Sequence, residues 1–397
     1  MNDRLSPPPS ALQAQAQAQA QAQEPELAAV RVDRATTELK HGRAVRVCDA
    51  GDTASAAALV VAAVESLTAT RFGWFAALGV PMQLLLGGDR RHALDAPSLA
   101  AGPMRIDLSP GATFDDVMQL AAVTPLGEPQ PDVPARLRSG TPPASADTPA
   151  MLSALQLARR ARLAPALLMV VEQPAVAPQV AAAQLLAVSG TDLRQTQGAV
   201  IPTLRRISDA HVPLAAREDC ELALFREENG GAEHLAIIVG QPDLSQPVPV
   251  RLHSSCLTGD LLGSLRCDCG DQLRRAVERL AVDGGVLLYL EQEGRSIGLA
   301  NKLRAYRLQD AGLDTLDADH HLGFAADERD YGAAVAMLRE LGISRIRLLT
   351  NNPKKIDALA AGGIEVVERL SLHAPVNVHN ARYIETKQQR AGHLKDD

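Results

Sequence analysis

The chain has 397 residues, of which 46% are apolar and 22% charged. That is enough core material for two or three folded domains, and it excludes both a single small module and wholesale disorder. A formal net charge of −7 leaves no chain-wide positive field for a phosphate backbone, and 3% aromatics leave no stacking platform, so nucleic acid is not expected as a partner.

Residues 1–28 open on Pro7-Pro8-Pro9 and then alternate Ala and Gln. That composition predicts a disordered tail, with a helical Ala/Gln arm as the competing reading. From residue 33 strand and helix signals alternate, which predicts an α/β domain over 29–206. Ala44–Val47 reads as a strand, Ala54–Val64 as a buried helix and Met82–Leu86 as a strand. Thr124–Ala150 carries seven prolines and reads as a loop. Leu152–Ala164 then reads as a helix and Ala166–Val171 as a central strand.

A second α/β (α+β) domain is expected over 207–397. Leu222–Phe225 and Leu235–Val239 flank Asn229-Gly230-Gly231 and suggest a hairpin, and Val248–Leu252 continues the sheet. Gln272–Val282 places Leu273, Val277 and Leu280 on one helical face, and Gly284-Gly285 ends it before the apolar strand 286–290. Ile346–Leu349 is a further buried strand. It runs into Thr350–Lys355, a loop at a strand's carboxyl end, where α/β proteins hold ligands.

The five cysteines (48, 220, 256, 267 and 269) are too few and too unevenly spaced for a disulfide framework, which points to a reducing compartment. The longest apolar stretch, Ala54–Val64, is well short of the roughly 20 residues a bilayer needs. The N-terminus lacks the basic-then-apolar order of a secretory signal. A cytoplasmic protein with no membrane contact is expected.

Cys256, Cys267 and Cys269 lie within 14 residues, and three soft ligands suit zinc. A catalytic zinc keeps a fourth position open, whereas a structural one would close it, and His253 is the nearby candidate for that role. The bland alternative is three buried thiols acting as small hydrophobes.

The residues around them resemble a known family. Arg251–Asp260 (RLHSSCLTGD) and Ser264–Leu273 (SLRCDCGDQL) are similar to the zinc segment of GTP cyclohydrolase II. So are Gln292–Arg295 with Ile297–Leu299, Asn301–Tyr306, Leu322–Asp330 and Leu348–Lys355, in the family's order and near its spacing. The resemblance runs from about residue 207 to His393. It implies a homodimeric enzyme with one Zn2+ per subunit and Mg2+ on the triphosphate of its substrate, GTP. The enzyme would open the imidazole ring and release formate and pyrophosphate, leaving the diaminopyrimidine that begins riboflavin synthesis.

The same resemblance implies Cys256, Cys267 and Cys269 as zinc ligands, Tyr306 for proton transfer, Asp327 as proton acceptor and Arg329 as nucleophile. Arginine is a poor nucleophile because its pKa stays above about 12, so a charge clamp on the phosphates is the other role open to Arg329. Substrate contacts fall on Arg251, Ser254, Ser255, Gln272, Glu293, Gly294, Arg295, Thr315, Thr350 and Lys355. The charged side chains suit the triphosphate, and Glu293 suits the guanine donors. Two positions depart from the family pattern: Ser255 stands where Glu is usual, and Glu291 where Arg is frequent.

Residues 35–205 distantly resemble the 3,4-dihydroxy-2-butanone 4-phosphate synthase domain of bifunctional riboflavin enzymes. The acidic metal-binding loop of that family is replaced by Asp49–Ser55, and its Gly-His-Thr-Glu signature has no counterpart near Ala146–Pro149. Enolisation of a sugar phosphate needs those groups, so this half is expected to be silent for that reaction and to act as scaffold, oligomerisation surface or regulator. A different class of function is a catalytically silent GTP-binding sensor. A zinc nucleobase deaminase would need His-x-Glu and Pro-Cys-x-x-Cys, and neither occurs.

Overall fold

The computed structural model describes residues 9–49, 58–87, 90, 103–123, 144–145, 148–197, 201–228, 231–325, 327–390, 392 and 394. Helix α1 spans Pro9–Lys40. The disordered tail expected over 1–28 is therefore corrected from Pro9 onward to the competing helical arm. Ala and Gln are good helix formers, and further along Ala28, Val32, Ala35 and Leu39 recur at helical spacing and are fully buried, so the C-terminal part is held by packing.

The first sheet comprises β1 (Val45–Cys48), β2 (Leu59–Ala63), β3 (Gln83–Leu86), β4 (Met104–Asp107), β5 (Ala144–Ser145), β6 (Ala166–Val171) and β7 (Leu186–Ser189). Their order is β5-β4-β3-β6-β2-β1-β7. All pairs are antiparallel except β1 with β7. Helices α2 (Ala69–Ala77), α3 (Phe114–Leu120), α4 (Pro149–Arg160), α5 (Ala177–Ala182) and α6 (Gly190–Gln197) complete this half. Separate apolar clusters cover the two faces of the sheet.

The buried helix expected over Ala54–Val64 is corrected over its described part to strand β2, whose five residues are all buried. A short apolar run buried on both sides carries no period, and the adjacent valines favour the strand. The Asp49–Ser55 loop beyond Asp49, the turn at 229–230 and most of the proline-rich stretch 124–147 lie outside the described residues.

The second sheet begins with β8 (Leu204–His211), β9 (Cys220–Glu227), β10 (Glu233–Val239) and β11 (Val248–Ser254). Helix α7 (Cys269–Asp283) and β12 (Gly285–Leu290) follow, then α8 (Gly298–Asp310), α9 (Thr315–His321) and α10 (Gly332–Glu340). The chain ends through β13 (Arg345–Leu349), α11 (Pro353–Ala361), β14 (Glu365–Leu370) and α12 (Ala381–Gln389). The order is β14-β13-β11-β12-β10-β9-β8. Strands β14, β13, β11 and β12 are parallel neighbours, and β12, β10, β9 and β8 pair antiparallel.

This mixture positions the site. The parallel strands β11, β12 and β13 end side by side, and the chain leaving them carries Ser255-Cys256, Gln292–Arg295 and Thr350–Lys355. Among the described residues no helix is long and apolar enough to cross a membrane.

Candidate active site

Where β11 ends, the backbone makes a π-helical turn, Leu257–Leu261. Asp260 fixes it by accepting from the Cys256 N–H at 2.9 Å, from Tyr289 at 2.9 Å and from His253 Nε2 at 3.1 Å. His253 also stacks on Tyr289 at 5.6 Å between centroids. The ligand atoms of His253 do not join the cluster that the three sulfurs form, and burial keeps its pKa below the ordinary histidine value despite the pull of Asp260.

The turn lies on the start of α7, which brings Cys256, Cys267 and Cys269 together with ligand atoms all within 4.8 Å of one another. The Cys256 and Cys267 sulfurs are 3.8 Å apart, and none of the three is in a disulfide. Gly259 makes room for them. A Cβ there would meet Cys267 Sγ at 2.9 Å, Cys269 Cβ at 2.9 Å and Cys256 Sγ at 3.1 Å. Gly259→Ala is therefore expected to spread the sulfurs and weaken the affinity of the cluster for a metal ion by about 10–100-fold, a size usual for disturbing a ligand's support. Competition with a chelating dye reads this directly, and unchanged affinity would show that the cradle is unimportant.

One ammonium faces the sulfurs. Lys302, on α8, lies 3.0 Å from Cys256 Sγ and 2.8 Å from Glu293 Oε1. Hydrogen bonds from Cys267 and Cys269, with the Lys302 charge added, hold Cys256 far below the usual thiol range, and that anion pushes Cys267 up. Glu293 also accepts from the Leu257 N–H at 2.6 Å and its neighbour Gly294's N–H at 3.1 Å. Its carboxylate thus ties α8 and the π turn together.

The sulfurs open into a cavity of about 300 Å3. Of the residues assigned from sequence, Arg251, Ser254, Ser255, Gln272, Gly294, Arg295, Tyr306, Thr315, Asp327, Arg329, Thr350 and Lys355 all line it, while Glu293 does not. Arg251 reaches Leu349 O at 2.8 Å and Gln272 Oε1 at 2.6 Å, and its buried Nε has no partner. Burial lowers this guanidinium to about 10, so it remains a cation at neutral pH. Lys355 donates to Leu252 O at 2.7 Å. The Gln292 backbone N–H donates to Ser255 Oγ at 3.1 Å, so the serine in place of the usual Glu serves the loop after β12.

Asp327 and Arg329 form a bidentate pair, with both N–O distances 2.7 Å. Burial opposes the charge on Asp327, yet Arg329 outweighs it and holds the carboxyl below its ordinary range. Asp327 in turn raises Arg329 against the same burial penalty. Tyr306 lies under the Arg266 guanidinium at 5.1 Å, and burial pushes its phenol up to about 12.

A family model described as GTP cyclohydrolase II matches residues 205–371. A GTP cyclohydrolase-2 of Azospirillum brasilense is 44% identical over 378 residues, covering 93% of this chain and 95% of its own. The chain belongs to the GTP cyclohydrolase II family. A GTP cyclohydrolase-2 of Xylella fastidiosa is 40% identical over 93% of this chain and 88% of its own. A riboflavin biosynthesis protein RibBA of Cytophaga hutchinsonii is 51% identical over 182 residues, 45% of each chain.

In this GTP cyclohydrolase II family member the first domain presses on the loops that carry the site. Arg162 donates to Glu291 Oε1 at 2.6 Å and to Glu291 O at 3.1 Å, and its own carbonyl accepts from Asn301 at 3.4 Å. Glu65 pairs with Arg304 at 2.7 Å, Arg159 lies 3.5 Å from Glu328, and the buried Arg90 donates to His321 O. The charge reversal at Glu291 is thus answered by a partner in the first domain.

Sequence reasoning missed Lys302, Asp319 and Tyr383, all on the cavity wall. Lys302 was legible in principle. It precedes Tyr306 by four residues on α8, and that spacing puts the two side chains on one helix face.

Proposed function

We propose that this protein is a zinc-dependent GTP cyclohydrolase II that converts GTP to 2,5-diamino-6-(5-phospho-ribosylamino)pyrimidin-4(3H)-one with loss of formate and pyrophosphate, the first step of riboflavin synthesis. The observation that carries this reading is the three-sulfur cluster opening into a cavity that also holds Arg251, Arg295, Arg329 and Lys355. One cavity wall thus offers both soft ligands and cationic groups, which is what a purine triphosphate and a zinc ion need.

The donor set suits Zn2+. Three cysteine sulfurs within 4.8 Å fit a tetrahedral ion with one open position, and the missing Cβ at Gly259 leaves them room to close on it. When bound, zinc supplies Lewis acidity toward water and the purine carbon. Lys302 keeps a positive charge against Cys256, and Glu293 holds Lys302 and the turn in register. Tyr306 stays a neutral phenol at neutral pH, so it has a proton to give as the ring opens.

Arg251, Arg295 and Lys355 bind the triphosphate, with Mg2+ expected on its oxygens. Arg329, locked to Asp327 and protonated, has no lone pair to attack phosphorus. The geometry favours a clamp that stabilises charge on the departing pyrophosphate. The first domain serves as a scaffold for the 291–304 and 321–328 segments, and it is silent toward sugar phosphates.

The test is turnover by the purified full chain with GTP and Mg2+. Formate and pyrophosphate are expected in equal amounts, with no butanone phosphate formed from ribulose 5-phosphate. GTP binding without formate would identify a sensor, and a butanone product would show the first domain to be active.

A further inference from the structure

Arg295 sits on an unusual backbone. Gly294, Arg295 and Ser296 have φ of +62°, +60° and +74°, a left-handed run in which two side-chain-bearing residues take a conformation they rarely adopt. A side chain leaving such a loop needs external support to keep one direction. Asp319 supplies it, accepting from Arg295 Nη1 at 3.0 Å, while the Tyr383 ring lies 5.9 Å from the guanidinium carbon. Asp319 is 5% exposed, yet it lines the cavity.

Both ends of the helix that carries Asp319 are tied down. At its start Arg390, just past α12, pairs with Asp314 and with Asp317 at 3.1 Å. At its end Arg90 of the first domain donates to His321 O. A buried carboxylate held this firmly against a cavity arginine is not a surface ion pair. It occupies a cation that the nucleotide needs.

We infer that Asp319 is a positioning residue for the nucleotide site: it holds the Arg295 guanidinium in place on the cavity wall as a resident anion until phosphate arrives to share that cation. The inference rests on the GTP reading above and adds to it a coupling between nucleotide binding and protonation. The groups facing Asp319 are Arg295 from the loop before α8, Asp314 at the start of its own helix, and Asp327 and Glu328 from the loop that follows. Burial, opposed by Arg295 and reinforced by the three acids, pushes the Asp319 carboxyl up to about 7. Phosphate beside Arg295 adds negative charge and raises it further, so GTP binding takes up a proton in the pH range between the carboxyl's values in the free and the nucleotide-bound enzyme.

The sign is fixed. From pH 7 up to the carboxyl's value in the complex the KM for GTP rises with pH, by at most about tenfold per unit for a single proton, and then levels off. Asp319→Asn keeps an oxygen for Arg295 and has no charge to titrate. Its KM is expected to match wild type near pH 6 and to fall below it about tenfold at pH 8.5. The nucleotide's own ionisation is common to both proteins, so the difference between them is the readout. Asp319→Ala removes the oxygen as well, and its KM rises at every pH.

Infrared difference spectra of wild-type protein on addition of GTP at pH 8 give a second measure that needs no variant: a protonated carboxyl band should appear. Superimposed KM profiles for wild type and Asp319→Asn, or spectra without that band, overturn the inference while leaving GTP turnover intact. A wild-type protein that releases no formate at all overturns the underlying reading too.

Discussion

Replacing Cys267 with Ser is expected to abolish both zinc retention and formate release from GTP. Serine matches cysteine in shape, but its hydroxyl does not ionise near neutral pH, so one of three anionic ligands becomes a weak neutral donor. Cys256 and Cys267 are buried and Cys269 is partly buried, their ligand atoms lie within 4.8 Å of one another, and among the described residues no other His, Cys, Asp or Glu joins the cluster. His253 holds Asp260 through Nε2 and is not among the residues whose ligand atoms converge with the sulfurs, so it does not stand ready to replace the lost thiolate. Zinc affinity should fall by at least about 100-fold, since metal binding at such sites requires deprotonated ligands. On the proposed zinc-dependent mechanism turnover should fall below about 1% of wild type, because the ion that would activate water at the purine is lost with its ligand. Metal content by elemental analysis and formate by coupled assay measure the two effects. Stoichiometric zinc or wild-type formate from the Cys267→Ser protein would remove the cluster from the chemistry.

That cluster was legible in the sequence because its ligands are local. Cysteines 256, 267 and 269 need only one turn and one helix start to converge. Strand β12 was legible for a related reason: it is an uninterrupted apolar run bounded by a turn signal, Gly284-Gly285, whereas β11 and β13 carry Arg251 and Arg347 among their apolar residues and read as strands on the remaining pattern. The Ala54–Val64 stretch failed on the same evidence. Burial on both sides erases the period that separates a strand from a helix, and its alanines weighted the reading toward helix. For the Ala/Gln arm, low hydrophobicity argued against order, but the apolar stripe from Ala28 to Leu39 lies just beyond and anchors the helix.

What could not be read is whatever depends on a distant partner. Glu293 carries two acceptor oxygens that suit guanine, yet the fold spends them on Lys302, Leu257 and Gly294. Asp319 is an ordinary acidic residue in sequence and gains meaning only against Arg295, 24 positions earlier. Arg90 and His321 lie 231 positions apart. Their bond joins two domains that the sequence presents as separate reading frames of function, and no local pattern encodes it. The charge reversal at Glu291 likewise has its counterpart in Arg162, 129 positions earlier.

Arg329→Lys and Arg329→Ala separate the two roles that chemistry allows this arginine. In wild type the guanidinium is bound at two points to Asp327, and Asp327 Oδ1 also accepts from the Arg329 backbone N–H at 3.2 Å. The pairing raises the arginine's proton affinity instead of lowering it. A nucleophilic nitrogen needs the reverse, so no covalent nucleotide should form on the chain, and a rapid quench with GTP labelled at the α-phosphate should leave the protein unlabelled. As a clamp, Arg329 contributes charge and two-point geometry. Lysine keeps the charge and loses the geometry, which predicts a fall in pyrophosphate release of about 10–100-fold. Alanine loses both, with a fall of about 1,000-fold. It also leaves Asp327 buried beside no cation, at a stability cost of about 3 kcal/mol, and the Asp327 carboxyl then titrates higher than in wild type. Because that loss of stability could itself lower activity, the lysine variant is the cleaner probe, and its melting temperature should stay near wild type. Label retained on Arg329 after quench, or an inactive lysine variant with an unchanged fold and unchanged GTP affinity, would favour the covalent role over the clamp.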